Sequence, residues 1–198
     1  NNKNQIDRAV QYLEEIATQK PIYYNNLYNI FTEGKYVQKN FQKAVNYLEK
    51  GALSNSKLYI NLSNIFLNGK DIPQDINRAI KYLEKGALKN PKLYNNLYKI
   101  YTKGEILPKD VEKAISYLEK NPNGYYSLFF IYKNGIDVTK DVKKAIKYAK
   151  AYLNSDEVLT KKNRLYVNVS NIYRAGDGVA KDLDKAIFYY LSLNRDTP

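Results

Sequence analysis

The stretch from Asn61 to Ala87, NLSNIFLNGKDIPQDINRAIKYLEKGA, contains the pattern that decides the fold. An apolar helical pattern leads to Gly69, and Ala79 follows ten residues later, inside a second helical pattern. The same step recurs along the chain, from Gly34, Gly69, Gly104, Gly135 and Gly176 to Ala44, Ala79, Ala114, Ala145 and Ala186. Counting Ala9 in a partial copy at the start, successive alanines lie 35, 35, 35, 31 and 41 residues apart. A period of this length indicates a repeat array.

Each full repeat predicts two helices. Apolar residues at helical spacing place the first helices at about 21–33, 56–68, 91–103, 123–134 and 163–175. The second helices fall at about 41–53, 76–88, 111–120, 142–154 and 183–193, and a lone second helix at 5–17 precedes them. The recurrent glycine ends the first helix, because glycine adopts the left-handed C′ conformation without strain. The predicted N-caps of the second helices are Asn40, Asp75, Asp110, Asp141 and Asp182.

The recurrent alanine is predicted to lie where two helices approach closely. Val or Ile follows it directly, and a tyrosine stands three residues after it in all six copies: Tyr12, Tyr47, Tyr82, Tyr117, Tyr148 and Tyr189. Small, β-branched and aromatic side chains at these offsets form one apolar stripe on the second helix.

Two irregularities interrupt the period. After Glu119 the chain reads KNPNG, and this repeat is four residues shorter than the usual 35. Pro122 is therefore predicted to end the preceding helix early. The repeat that follows Tyr148 is six residues longer than the usual 35, which predicts a longer helix and then a loop around 156–163.

The ten-residue step from glycine to alanine, with an acidic cap between them, resembles the Sel-like repeats (SLR), a branch of the tetratricopeptide superfamily. Their pattern is Leu-Gly-x-x-Tyr-x-x-Gly-x-Gly-Val-x-x-Asp-x-x-Lys-Ala, and residues 172–186 read IYRAGDGVAKDLDKA. The resemblance implies an all-α fold, a right-handed α-α superhelix (solenoid) of about five helix pairs plus a partial N-terminal repeat. It also implies a role as a protein-interaction scaffold. The repeat type and the composition together favour a bacterial source, and the location stays open, with periplasm, envelope and secretion as the candidates.

We expect one domain over residues 1–198. Its partial repeat covers 1–20, and its repeats cover about 21–54, 55–89, 90–121, 122–162 and 163–198. The chain starts on Asn1 inside a truncated repeat, and we therefore expect it to be a fragment of a longer chain.

The composition argues against catalysis. The 198 residues include no cysteine and no histidine, which removes thiol chemistry and the commonest general base and metal ligand. Neither Glu14-Glu15 nor Asp156-Glu157 forms an acid/base pair, because adjacent helical residues diverge. No phosphate loop, dinucleotide fingerprint or metal-ligand spacing occurs, so we predict no enzyme activity and no cofactor. No run of 18 apolar residues is present, which predicts no membrane span.

A polar stripe runs along the first helices, opposite the apolar positions. We call it the first-helix face, and it comprises Asn26, Asn29, Asn61, Asn64, Asn96, Lys99, Tyr126, Phe130, Asn168 and Asn171. In related solenoids the first helices line the concave groove, so the resemblance implies that this face binds a protein or peptide partner. The alternative is that the asparagines form hydrogen bonds within the repeat, and that Phe130 fills a gap left by the short linker.

The net charge of +12 gives a second hypothesis, a polyanion or single-stranded nucleic-acid binder. A basic residue precedes every alanine: Arg8, Lys43, Arg78, Lys113, Lys144 and Lys185. These side chains are either solvated, with their stems packed on neighbours, or form an electropositive rail. Nucleic acid is less favoured than protein, because the tyrosines lie at core offsets. A third hypothesis is a structural spacer in a larger protein, and the oligomeric state stays open.

Overall fold

The computed structural model of the chain describes residues 2–156 and 158–193, and within them every regular element is helical. The predicted all-α class is thereby confirmed. The end of the fifth predicted repeat, 194–198, lies outside the described residues. The helices are α1 (Asn2–Gln19), α2 (Tyr23–Glu33), α3 (Phe41–Ala52), α4 (Leu58–Asn68), α5 (Ile76–Lys89), α6 (Tyr94–Lys103), α7 (Val111–Glu119), α8 (Gly124–Asn134), α9 (Val142–Leu153), α10 (Leu159–Ala175) and α11 (Leu183–Leu191). None of the described helices combines the length and the apolarity that a membrane crossing requires.

The helices gather into two compact units, Asn1–Leu93 and Tyr94–Pro198. The first unit contains α1 to α5, with α2 packed on α3 and α4 packed on α5, and closes with a 3-10 turn at Pro91–Leu93. The second unit contains the pairs α6–α7, α8–α9 and α10–α11. The organisation into a single domain, with the repeat limits given above, stays a prediction.

The helix ends follow the sequence signals. Gly34 and Gly69 adopt left-handed backbone angles, with φ of 69° and 62°, and their amides bond to the carbonyls of Ile30 and Ile65. Each second helix after α1 begins at its predicted cap, whose side-chain oxygen accepts from the amide three residues later at 2.8–2.9 Å. The cap and the glycine therefore fix the connection between the helices of each pair.

The alanines pack as predicted in the five full repeats. Ala44, Ala79, Ala114 and Ala145 are completely buried, and Ala186 is almost so. Ala9 is exposed instead, and Tyr12 is 65% exposed, against at most 8% for the tyrosine at this offset in the full repeats. The predicted stripe of six buried copies is therefore wrong for the partial copy, because no described helix covers that side of α1.

Every full repeat contains a group of three neighbouring aromatic rings. The tyrosine after the alanine lies between two rings from the first helix, ten and three residues before the glycine. Tyr47, for example, has its ring centroid 6.4 Å from that of Tyr24 and 5.6 Å from that of Phe31. The remaining stacks are Tyr59–Tyr82–Phe66, Tyr94–Tyr117–Tyr101, Tyr125–Tyr148–Tyr132 and Tyr166–Tyr189–Tyr173. These stacks account for much of the tyrosine content of the chain.

The short linker behaves as predicted, and the long one does not. Helix α7 ends at Glu119, shortly before Pro122. Helix α9 has 12 residues, the same number as α3, and so is not longer. The extra residues instead extend α10, which begins at Leu159 within the predicted loop and reaches 17 residues. Ser155, whose hydroxyl bonds the Tyr152 carbonyl at 2.6 Å, follows the end of α9, whereas 159–163 contains neither glycine nor proline to delay α10.

Substitution of Ala79 by leucine tests the close approach of the helices. Ala79 is completely buried, so Ala79→Leu is expected to lower the free energy of unfolding by about 1–3 kcal/mol through overpacking. The matched control is Ala9→Leu in the exposed partial copy, with an expected change within about 0.5 kcal/mol. Urea unfolding of both variants measures the difference, and equal effects would contradict this packing.

Candidate functional site

A carboxylate from one repeat holds the tyrosine and the basic residue of the next. In the first unit, Tyr47 donates a hydrogen bond to Glu14, and the Lys43 ammonium lies 3.3 Å from the same carboxylate. Tyr82 likewise donates to Glu49, and the Arg78 guanidinium is 3.3 Å from it. The side chain of Glu14 is on α1 and that of Glu49 on α3, so each network ties one helix pair to the next.

The second unit contains the same network in a slightly different form. Tyr148 donates a hydrogen bond to Glu119 of α7. The Lys144 ammonium donates to the Tyr132 hydroxyl at 2.7 Å. At the joint between the fourth and fifth repeats, Lys150 of α9 occupies the glutamate position, and Lys185 instead pairs with its own cap, Asp182, at 2.7 Å. The network is thus absent from the joint with the long linker.

The basic column also lies over the aromatic stacks. The Lys43 ammonium is 4.5 Å from the centroid of Phe31, and the Arg78 guanidinium carbon is 4.4 Å from that of Phe66. The equivalent distance is 4.7 Å for Lys113 over Tyr101, 4.2 Å for Lys144 over Tyr132 and 5.5 Å for Lys185 over Tyr173. Such cation–π contacts, together with the carboxylates, engage these cations within the fold. In the five full repeats the column is therefore neither simply solvated nor a free electropositive rail, whereas Arg8 in the partial copy is exposed.

The network shifts the pKa values of its tyrosines and of Glu14. Partial burial and the bond to Glu49 raise the pKa of Tyr82 to about 12. Burial and a carboxylate acceptor also raise the pKa of Tyr47 and of Tyr148. Partial burial acts to raise the pKa of Glu14, but the Tyr47 hydrogen bond and the Lys43 ammonium outweigh it, so this pKa is lowered. These directions are those of a structural network in which the tyrosines stay neutral and Glu14 stays ionised.

Three cavities lie beside these joints. One of about 930 Å³ in the second unit is lined by Glu119, Tyr132 and Lys144, together with Lys140 and Asp177, which form an ion pair at 2.8 Å. Cavities of about 900 Å³ and 440 Å³ lie in the first unit, beside the Glu14 and Glu49 networks. No residue of the first-helix face lines any of the three. No group of acidic side chains that could hold a metal ion occurs in the described part of the chain.

The first-helix face of the first unit is exposed. It consists of Asn26 and Asn29 on α2 and of Asn61 and Asn64 on α4, all of which are exposed. Among the described residues none of these four side chains forms a hydrogen bond with the protein. The intra-repeat alternative therefore finds no support here, since these amides are satisfied by solvent or a partner.

The first-helix face of the second unit is more varied. Lys99 and Asn171 are exposed, and Asn96 is half-buried. Asn168 is engaged within the fold, because its amide donates to the Arg164 carbonyl at 2.8 Å and its oxygen accepts from Lys133 at 2.6 Å. The Asn168 side chain thus bonds both within its own repeat, to Arg164, and to the preceding repeat, through Lys133.

Tyr126 and Phe130 lie together in an aromatic cluster. Their ring centroids are 5.1 Å apart in an edge-to-face arrangement. Behind them, the completely buried Phe129 lies 4.9 Å from Phe130, and the completely buried Tyr152 lies 5.6 Å from Tyr126. Tyr152 stands seven residues after its alanine, where the first two full repeats have Gly51 and Gly86. A side chain at either glycine would meet neighbouring residues, whereas the fourth repeat has room for the Tyr152 ring.

Acidic residues are almost missing from the first helices. Helices α4, α6, α8 and α10 contain no Asp or Glu, and α2 contains only Glu33. The same helices of the second unit carry Lys99, Lys103, Lys133, Lys161, Lys162, Arg164 and Arg174. This asymmetry is visible in the sequence but was not predicted from it. The same is true of the recurrent glutamate five residues after the alanine (Glu14, Glu49, Glu84 and Glu119).

The family model described as Sel1 repeat matches residues 29–56, 57–91, 99–120, 122–151 and 166–193. A solved Sel1 repeat protein from Oxalobacter formigenes is 23% identical, with a TM-score of 0.52, over 99% of this chain and 84% of that one. A protective antigen of uropathogenic Escherichia coli displaying an SLR fold is 18% identical, with a TM-score of 0.47, over 96% of this chain and 47% of that one. The comparison with curated proteins gives no match. The predicted repeat type and solenoid class are thereby confirmed.

Glu14 and Glu15 form a matched pair for testing the network. Glu14→Ala is expected to lower the free energy of unfolding by about 1 kcal/mol more than Glu15→Ala, because only Glu14 contacts Tyr47 and Lys43. Both substitutions change the helix propensity of α1 equally, so the difference reports the contacts. Denaturant unfolding measures it, and two equally stable variants would show that the network contributes nothing.

The raised pKa of Tyr82 predicts a loss of stability in alkali. The ordinary tyrosine pKa is 10.0, so the contribution of the neutral Tyr82 hydroxyl is complete below about pH 10 and is lost as the pH rises toward about 12. Tyr82→Phe keeps the ring and removes the ionising group. This variant is expected to lose less stability than the parent over that interval, as measured by denaturation at a series of pH values. Tyr36→Phe, at a 61% exposed position, is the control and should follow the parent.

Proposed function

This chain belongs to the Sel1 repeat family, and we propose that it is a scaffold that binds an extended segment of another protein on its first-helix face. Sel1 repeat proteins generally mediate protein–protein interactions and are typically not enzymes. The family therefore supplies the class of function, and the exposed side chains of this chain supply the proposed surface.

The observation that carries the proposal is the set of unengaged asparagine amides on α2 and α4. Each amide offers two donors and an acceptor, which matches the alternating N–H and C=O groups of an extended peptide backbone. Asn26 and Asn29 are three residues apart, as are Asn61 and Asn64, so each helix presents its pair on one face. Two helices of the same unit thus offer the same polar groups at the same repeat offsets.

The second-helix side of each unit is a weaker candidate. Its basic column is engaged with glutamates and aromatic rings, and its tyrosine hydroxyls donate to those glutamates. A partner that used these groups would first have to displace interactions that hold the repeats together. Binding on the first-helix face of the first unit requires no such displacement, because the side chains of its four asparagines form no hydrogen bond with the described part of the protein.

A double substitution on α4 tests the proposal. A library of random peptides displayed on phage is selected on the parent chain, and the selected peptides are synthesised and titrated against variants. The variant carrying Asn61→Ala and Asn64→Ala is expected to bind at least about tenfold more weakly, because it loses two or more hydrogen bonds of about 1 kcal/mol each.

The control for this experiment is Asn77→Ala, since Asn77 is an exposed asparagine on the second helix α5. It is expected to bind like the parent. If the α4 variant is folded by circular dichroism and binds the selected peptides as tightly as the parent, the first-helix face is not the binding surface. Failure to select any peptide would count against the function itself.

A further inference from the structure

We infer that the second unit binds an acidic segment bearing an apolar side chain, at a cationic aromatic patch formed by Tyr126, Phe130, Lys133, Lys161 and Arg164. This inference rests on the proposed function and names the chemistry of the partner. The patch lies on α8 and the N-terminal half of α10, whose early start at Leu159 brings Lys161 and Arg164 onto regular helix.

The aromatic part of the patch is fixed from behind. Tyr126 and Phe130 are half-buried, while Phe129 and Tyr152, which contact them, are completely buried. The two outer rings therefore offer apolar surface and lose little conformational freedom on binding. Rigid, partly exposed aromatic side chains are typical of binding hot spots. The predicted alternative, that Phe130 fills a gap, is compatible with this, because one side of the ring packs inward and the rest is accessible.

The cationic part of the patch lies over these rings. The Arg164 guanidinium carbon is 5.1 Å from the Phe130 centroid, and the Lys161 ammonium is 5.3 Å from the Tyr126 centroid. Lys133 is positioned by its bond to Asn168. Within the described ranges, none of the three has a carboxylate partner. They differ in this from Lys43 and Arg78, whose charges are compensated by glutamates.

Charge complementarity identifies the partner. Helices α6, α8 and α10 contain basic residues and no acidic residue, so their surface repels cations and attracts carboxylates. A guanidinium that stacks on a ring keeps its N–H groups at the edge, where they bind a carboxylate with two parallel hydrogen bonds. An apolar side chain of the same segment would pack beside Tyr126 and Phe130. Asp or Glu near an aromatic or aliphatic residue is therefore the expected motif.

The geometry favours a protein segment over a single-stranded nucleic acid. Binding of bases on such surfaces depends on open aromatic faces for stacking. The Arg164 guanidinium lies over one face of Phe130 and the Lys161 ammonium over one face of Tyr126, so a base would have to displace a cation to stack there, whereas an apolar side chain packs beside the ring edges. Carboxylates bind these cations where they already lie.

Charge reversal of the two cations tests the inference on the full chain. Peptides selected from the random phage-displayed library should be enriched in Asp and Glu next to an apolar residue. The variant Lys161→Glu with Arg164→Glu is expected to bind the selected acidic peptides at least about tenfold more weakly. The control is Lys143→Glu with Lys147→Glu, which makes the same change of net charge at exposed positions of the second helix α9 and should retain binding.

The possible outcomes separate this inference from the proposed function. Selection of neutral or basic peptides that still require Asn61 and Asn64 would overturn the acidic partner and leave the scaffold function standing. Equal loss in both charge-reversal variants would overturn the patch as the site. A single-stranded oligodeoxythymidylate is also titrated against the parent and the variant Lys161→Glu with Arg164→Glu. If this variant loses affinity for the oligonucleotide and keeps its affinity for the peptides, the patch is a nucleic-acid site instead. If the α10 variant melts at a lower temperature than the parent, Lys161→Gln with Arg164→Gln replaces it. This variant is expected to show a smaller loss of peptide affinity. Unchanged affinity would contradict the inference.

Discussion

The close approach of two helices at a buried alanine is the contact on which each repeat depends. Because Ala44 or Ala79 adds only a methyl group at the crossing, the tyrosine three residues later reaches between two rings of the first helix. That position directs its hydroxyl toward the glutamate of the preceding repeat and brings the basic residue over the stack. A larger side chain at the alanine would separate the helices and so disrupt both the ring stack and the polar network.

This packing divides the polar chemistry between the two sides of each unit. On the second helices, hydroxyls, carboxylates and cations bond to one another and hold successive repeats in place. On the first helices, asparagines and cations such as Asn61 and Arg164 have few polar partners in the protein, and carboxylates are nearly missing. Buried or mutually paired groups stabilise a fold, whereas unengaged groups on a rigid scaffold are free to bind. The proposed scaffold function follows from that division.

Local signals in the sequence predicted the helices, their ends and the buried alanines. Contacts between residues that are distant in sequence could not be predicted from such signals. The turn at Gly69, the cap at Asp75 and the burial of Ala79 each depend on nearby backbone, and each is confirmed. The early start of α10 was missed, because a stretch without glycine or proline is ambiguous between loop and helix. The link from Glu14 to Tyr47 spans 33 residues and depends on how repeats stack, so only its glutamate column could have been read in advance. For the first-helix face, the sequence supplied the residues but could not show that Asn168 is engaged while Asn61 is not.

The most direct measurement of this account is nuclear magnetic resonance shift mapping of the chain with a selected peptide. The side-chain amide signals of asparagine are well suited to it, because they report on the groups proposed to bind. The account predicts that the peptide shifts the side-chain signals of Asn61 and Asn64, or those of the rings at Tyr126 and Phe130, and leaves that of Asn77 unchanged. Shifts confined to Asn77 and to the residues around the second-helix cavities would contradict it.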